Sequence, residues 1–389
     1  MHRAFGIGLL VIVGCSEDAE VFVPREGVPD VILISMDGVR LDRTHFGGNA
    51  HVTTPSLDAI MDESLWFPLA WSQSNESLLS HSSLFGGRYV SEIAYPDYRT
   101  FVLPDTFEPD IQFNSLAELM TLAGYQSAAF IGGGHIRAEF GLGQGFSPYQ
   151  EASDFGSFHA SLPPALAWLD SQSTDTPIFM FFHGYDVHRP YGHASVFYLP
   201  FDSDYEGPMK KLVMTRNATE QIYRGRHYSN FERVVIRHET GGQMSDPVQT
   251  YSSLEEVASD PDKGRQLSQA DLNHMVARYD SGLLAADTYV GMLIDDLKES
   301  GRWEQTLLII TSDHGEDLQD HGFSNHRAVL FDSTTRVPFI VSGGALPESW
   351  RGRQSQALVD AVDLMPTLSD VAEIESPVGT RGRSLWPLL

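Results

Sequence analysis

The feature that most constrains this chain is a repeated unit, a short apolar run without polar alternation that ends directly in carboxylate or imidazole side chains. Leu307–Thr311 runs into Ser312-Asp313-His314-Gly315-Glu316, and Val31–Met36 runs into Asp37-Gly38-Val39-Arg40. Pro177–Phe182 runs into His183-Gly184-Tyr185-Asp186-Val187-His188-Arg189-Pro190-Tyr191. A run that never alternates suits a strand covered on both faces, as in a parallel sheet between helices. Ligands gather at the carboxyl ends of such strands. Asp37, Asp313 and His314 are therefore candidate metal ligands, and the histidines and aspartate after Phe182 favour a site at the third strand end.

The segments between these runs supply helices. Pro55 opens one through about Glu63, as proline does at a first helical position, and Leu65–Ala70 returns as extended chain. Ser115–Ala123 reads as a helix closed by Gly124, followed by a strand at Ser127–Ile131. That strand ends in Gly132-Gly133-Gly134-His135, where glycines would let the backbone approach a ligand or simply turn. Ser268 starts a helix to about Glu299, with Asp271 in the reciprocal capping position. Its stripe of Val276, Tyr279, Leu283, Ala286, Val290, Leu293 and Leu297 is the pattern of scaffold. Val337–Ser342 is one more buried strand. The alternation predicts an α/β fold, a large mostly parallel central sheet flanked by helices over 29–342, with a small C-terminal subdomain over 343–389. Residues 192–263 interrupt it with mixed polar, aromatic and arginine-bearing sequence, too long for an ordinary connection and suited to a lid or substrate wall.

A second concentration of chemistry lies at Ser77, Ser80, His81, Ser82 and Ser83, five hydroxyl or imidazole side chains within seven residues. A serine that opens a helix sits beside unpaired amides and the positive end of the helix dipole, which stabilise an anion. The chain as a whole is acidic, with 26 Lys plus Arg against 52 Asp plus Glu and a net charge of −26. That balance excludes nucleic acid as a partner, because its phosphates would be repelled. An anionic substrate needs a locally positive pocket, which a divalent cation with several histidines would provide.

The N-terminal Phe5–Val13 is apolar but too short to span a bilayer, and reads as a secretion signal. Its ending, Val11-Ile12-Val13-Gly14-Cys15, resembles the lipobox of bacterial lipoproteins. The expectation is a leader over 1–14, a lipid on Cys15, a polar tether over 15–28 and an exported protein facing the periplasm or exterior. Cys15 is the only cysteine, so the mature domain has neither an internal disulfide nor a catalytic thiol.

Taken together, these residues resemble the sulfatase family of the alkaline-phosphatase superfamily over nearly the whole mature chain. Ser35–Arg43 with Thr54-Pro55-Ser56-Leu57-Asp58 is similar to the family's first metal-bearing strand and following helix. Ser83-Leu84-Phe85-Gly86-Gly87-Arg88-Tyr89 matches its Ser-Leu-Leu-Thr-Gly-Arg-Tyr motif, which puts Ser77 at the nucleophile, a residue that active sulfatases oxidise to formylglycine. Asp186–Tyr191 is similar to Asp-Pro-His-x-Pro-Tyr, Ser312–Glu316 to the second metal motif, and His326 falls where a Lys or His contacts the sulfate. The Val362–Thr367 and Gly382–Leu385 stretches fit the family's C-terminal part.

The resemblance implies an alkaline-phosphatase-like fold and one divalent cation, Ca²⁺, Mg²⁺ or Mn²⁺, on Asp37, Asp313 and His314. It also implies hydrolysis of a small-molecule or glycan ester by Ser77, His188, His326, His81 and His135, with His188 or His326 protonating the leaving group. Two departures matter. Leu79 and His81 stand where the modified motif has proline and arginine, which argues for an unmodified Ser77, and Gly38 replaces a second aspartate. The readings from this sequence are a sulfuric ester hydrolase, then a phosphodiester or phosphonate monoester hydrolase or phosphoryl transferase through bare Ser77, then a lipid-anchored binding protein without turnover.

Overall fold

The structure, a computed structural model, describes residues 27–93, 115–153, 155–188, 191, 200–206, 212–214, 234–238, 249–251, 268–321, 326 and 329–386. The expected leader, Cys15, most of the tether and most of the 192–263 insertion lie outside the described residues.

In chain order the strands are β1 (Asp30–Met36), β2 (Leu65–Trp66), β3 (Ala70–Trp71), β4 (Gln126–Gly133), β5 (Tyr149–Ser153) and β6 (Ile178–Gly184). Three short ones within the insertion, β7 (Leu212–Met214), β8 (Val234–His238) and β9 (Gln249–Tyr251), pair antiparallel. Then come β10 (Thr306–Thr311), β11 (Phe339–Ser342), β12 (Arg353–Gln354) and β13 (Val359–Asp360). Eight of them form one sheet in the order β12-β2-β11-β10-β1-β6-β4-β5. The five from β10 to β5 are parallel, and β11 turns antiparallel to both β10 and β2.

Unalternating sequence follows from this placement. All seven residues of β1 are buried, with Val31 and Leu33 on one face and Ile32 and Ile34 on the other. The first face is covered by α2 (Ser77–Gly86), α3 (Leu116–Leu122) and α6 (Leu364–Val371). The second is covered by α1 (Pro55–Ile60), α4 (Phe158–Ser171) and α5 (Gln269–Glu299). Each fully buried Val, Leu or Ile contributes roughly 1.5–3 kcal/mol, so both faces of a central strand must be apolar.

Residues 343–386 share this core. β12 extends the main sheet, and Leu364, Met365, Leu368 and Leu385 pack with Val31, Phe179 and Leu307. Two expected boundaries shift. Leu65–Ala70 is two short strands with a break, and β6 continues through Gly184, which puts His183 inside the strand and not after it.

Candidate active site

Strand order builds the site. β10, β1 and β6 are adjacent and parallel, so the residues after their carboxyl ends emerge side by side, about 5 Å apart from one strand to the next. Asp37 follows β1, Asp313 and His314 follow β10, and Asp186 and His188 follow β6. β4, whose end His135 follows, lies one strand further out.

Asp37, Asp313 and His314 are all buried, and one potential ligand atom from each lies within 4.8 Å of the others. Asp313 Oδ1 accepts the amides of Gly38 (3.2 Å) and His314 (3.0 Å). Asp313 Oδ2 and Asp37 Oδ1 have no hydrogen-bond partner among the described residues. The His314 Nδ1–H donates to the Gly315 carbonyl at 2.8 Å, because a carbonyl can only accept, so its Nε2 lone pair faces the cluster. Burial, then the neighbouring Asp313, pushes the Asp37 carboxyl well above the ordinary carboxylate range. Two buried carboxylates cannot both ionise here without a counter-charge. Orphaned oxygens, an oriented imidazole and a charge deficit together fit a hard divalent cation. Gly38, which replaces a possible ligand, has a φ of +74°; that left-handed turn aims its amide at Asp313.

Ser77 is the first residue of α2, with Glu76 as N-cap. Its hydroxyl lies 3.0 Å from Asp37 Oδ2, to which it donates, and 3.3 Å from His314 Nε2. The rest of the serine-rich run serves the backbone. Ser80 donates to the Asp313 carbonyl at 2.6 Å, Ser82 to the Leu78 carbonyl and Ser83 to that of Arg88. His81 sits behind the nucleophile. Its Nδ1–H donates to the Ser77 carbonyl at 2.7 Å, its Nε2 accepts from the Ser35 hydroxyl at 3.0 Å, and burial lowers its pKa. It can fix the turn that presents Ser77, but neither ring nitrogen is turned toward the serine hydroxyl.

His326 stacks on His314, with ring centroids 4.2 Å apart, and its Nδ1 is 3.4 Å from Glu316 Oε2. His188 lies 5.7 Å from His326, centroid to centroid, and stacks on Phe155. His135 packs edge-on against the same Phe155 at 5.4 Å, one aromatic layer from His188. Asp186 does not face the cluster; it accepts the Phe158 amide at the start of α4 at 2.8 Å, and burial pushes its carboxyl up to about 7. His183 is fully buried, 3.9 Å from Asp37 Oδ2, with no hydrogen bond from either ring nitrogen among the described residues; burial holds its pKa well below the usual value.

The glycines before His135, read as room for a ligand or as a turn, make room for protein at Gly132 and Gly134. A Cβ at Gly132 would stand 2.1 Å from the Gly156 carbonyl oxygen, and one at Gly134 would stand 2.7 Å from the Tyr185 hydroxyl. The α5 helix is more than scaffold, since the Tyr279 hydroxyl donates to the Gly38 carbonyl (2.7 Å) and accepts the Arg40 amide (3.0 Å), clamping the Asp37 turn. Asn75 is a further residue that sequence reasoning passes over; its amide nitrogen bonds the carbonyls of His326 and Val329.

Against known proteins, a family model described as sulfatase matches residues 29–374. An N-acetylglucosamine-6-O-sulfatase of Bacteroides thetaiotaomicron is 24% identical across 98% of this chain and 74% of its own length. An arylsulfatase of Clostridium perfringens is 22% identical across 93% of this chain and 78% of its own length. Among solved structures, a protein in complex with its substrate D-glucosamine-2-N,6-O-disulfate superposes with a TM-score of 0.65 at 20% identity, covering 93% of this chain and 80% of that one. The phosphonate monoester hydrolase of Agrobacterium radiobacter superposes with a TM-score of 0.63 at 19% identity, covering 93% and 77%. At these identities the structural likeness is one of fold.

Proposed function

The chain belongs to the sulfatase family, and from that premise we propose that it hydrolyses a sulfuric ester of a small molecule or glycan, with unmodified Ser77 as nucleophile. The observation that carries this reading is the Ser77 hydroxyl, within 3.3 Å of both Asp37 and His314, the groups whose open atoms fit a divalent cation. That cation, held by Asp37, Asp313 and His314, would polarise the ester and favour the ionised serine.

The chain's own groups divide the remaining work. Ser77 Oγ attacks the sulfur, and its proton goes to Asp37 Oδ2, the acceptor at 3.0 Å. The first-turn amides of α2, which the start of a helix leaves without intrahelical partners, would receive the anionic oxygens. As the bond from sulfur to the leaving oxygen breaks, His326 or His188 gives that oxygen a proton. Water then attacks the sulfur of the serine sulfate and gives one proton to the now neutral histidine; the bond from sulfur to Ser77 Oγ breaks, that oxygen takes back the proton from Asp37, and hydrogensulfate leaves. His81 and Tyr279 hold the two turns that carry Ser77 and Asp37.

Hydrolysis of a phosphonate monoester or phosphodiester through the same bare serine is the second reading. It is favoured by Leu79 and His81 in place of the proline and arginine of the modified motif. Purified protein assayed on aryl sulfate, aryl phosphodiester and aryl phosphonate esters, with and without added Mn²⁺, Mg²⁺ or Ca²⁺, decides between them. Metal-dependent turnover of the sulfate above the others is expected, and the reverse order would replace the first reading by the second. On the strength of the N-terminal sequence we also place the protein on a membrane through a lipid at Cys15; fatty-acid labelling that survives Cys15→Ala would overturn this.

A further inference from the structure

The reaction described above leaves Asn75 unused, although it is nearly buried and lies two residues before Ser77. Its side-chain nitrogen donates to two main-chain carbonyls of one distant segment, that of His326 and, at 2.7 Å, that of Val329. An asparagine amide has two hydrogens, so both are committed to that segment. The His326 ring is held separately, face against His314 at 4.2 Å and with Nδ1 3.4 Å from Glu316. These contacts close a frame. It runs from Ser77 to His314 at 3.3 Å, from His314 to His326, and from His326 back through Asn75 to the start of α2.

We infer that Asn75 is a positioning residue for proton donation, tying the main chain at His326 to the start of α2 and so fixing the proton donor relative to the attacking serine. This rests on His326 acting as that donor. Catalytic groups work only in register, and a misplacement of about 1 Å can cost on the order of 100-fold. The loss should depend on the leaving group. A nitrophenolate departs without a proton, whereas an unsubstituted phenolate or a sugar alkoxide needs one.

The test uses the full chain with Asn75→Asp, which keeps the shape but has no hydrogens to donate, and Asn75→Ser, a smaller change that protects against a folding failure. Both are compared with His326→Ala across substituted phenyl sulfates and the matching phenyl phosphonates, at matched metal content. In the Asn75 variants kcat/KM for the unsubstituted phenyl ester should fall about tenfold or more beyond the fall for the nitrophenyl ester, as in His326→Ala. Adding Asn75→Ser to His326→Ala should bring little further loss, because the two act as one unit. A uniform loss across the series in the Asn75 variants, beside a steepened series in His326→Ala, would overturn the inference and leave the proton donor standing. A flat series in His326→Ala would overturn both.

Discussion

A serine hydroxyl is a poor nucleophile until something takes its proton, and the one bond that makes Ser77 different from Ser80, Ser82 and Ser83 is its donation to Asp37 at 3.0 Å. The local sequence around Ser77 lacks the proline and arginine of the motif whose serine is oxidised to formylglycine. We therefore expect the tryptic peptide carrying residue 77, from protein made in its native host, to have the unmodified mass; a loss of two hydrogens from serine contradicts this. Ser77→Ala should abolish turnover whichever state is found. At this scale Asp37, Asp313 and His314 stand out in the sequence because carboxylates and an imidazole come directly after buried runs, whereas Ser77 is singled out only through the resemblance of Ser83–Tyr89 to the family motif. Asn75 and Tyr279 were not legible. Their reach depends on segments some 250 residues away meeting the same strand ends, which no local pattern encodes.

Strands β1, β10 and β6 could be read from the chain because burial on both faces forbids polar alternation, and their adjacency then fixes the site. Local sequence left Gly132 and Gly134 open between a ligand and a turn, since the Tyr185 ring that packs against both lies far along the chain. Helix α1 shows how elements are joined beneath the site. Asp287 of α5 accepts the amides of Ser56 (2.8 Å) and Leu57 (2.9 Å), the first-turn donors that α1 cannot satisfy itself. Burial raises its carboxyl from 3.8 to about 6, outweighing those two amides. Well below pH 4 the group is neutral in both states. As pH rises from about 4 through 6 the unfolded chain ionises first, so folding loses up to about 3 kcal/mol across that window. Asp287→Asn should flatten this slope in urea midpoints measured from pH 4 to 7, and a slope equal to that of the parent protein would show that Asp287 does not set it.

The molecule carries a net charge of −26 and is proposed to bind an anion. Distant charges should therefore repel the substrate until the local pocket takes over, and kcat/KM for an aryl sulfate should rise as salt is raised toward about 0.1 M, where the Debye length shrinks to about 10 Å. A fall over the same range would mean that a positive field guides the approach. A divalent cation on Asp37, Asp313 and His314 is proposed to turn Ser77 into a nucleophile, and Asp313→Asn removes one of the charges that would hold it. Metal per chain, aryl ester turnover and thermal midpoint are measured together on the purified variant and parent. The variant should keep its midpoint within a few degrees, lose most of its bound metal and lose turnover; normal turnover at normal metal stoichiometry would contradict the claim.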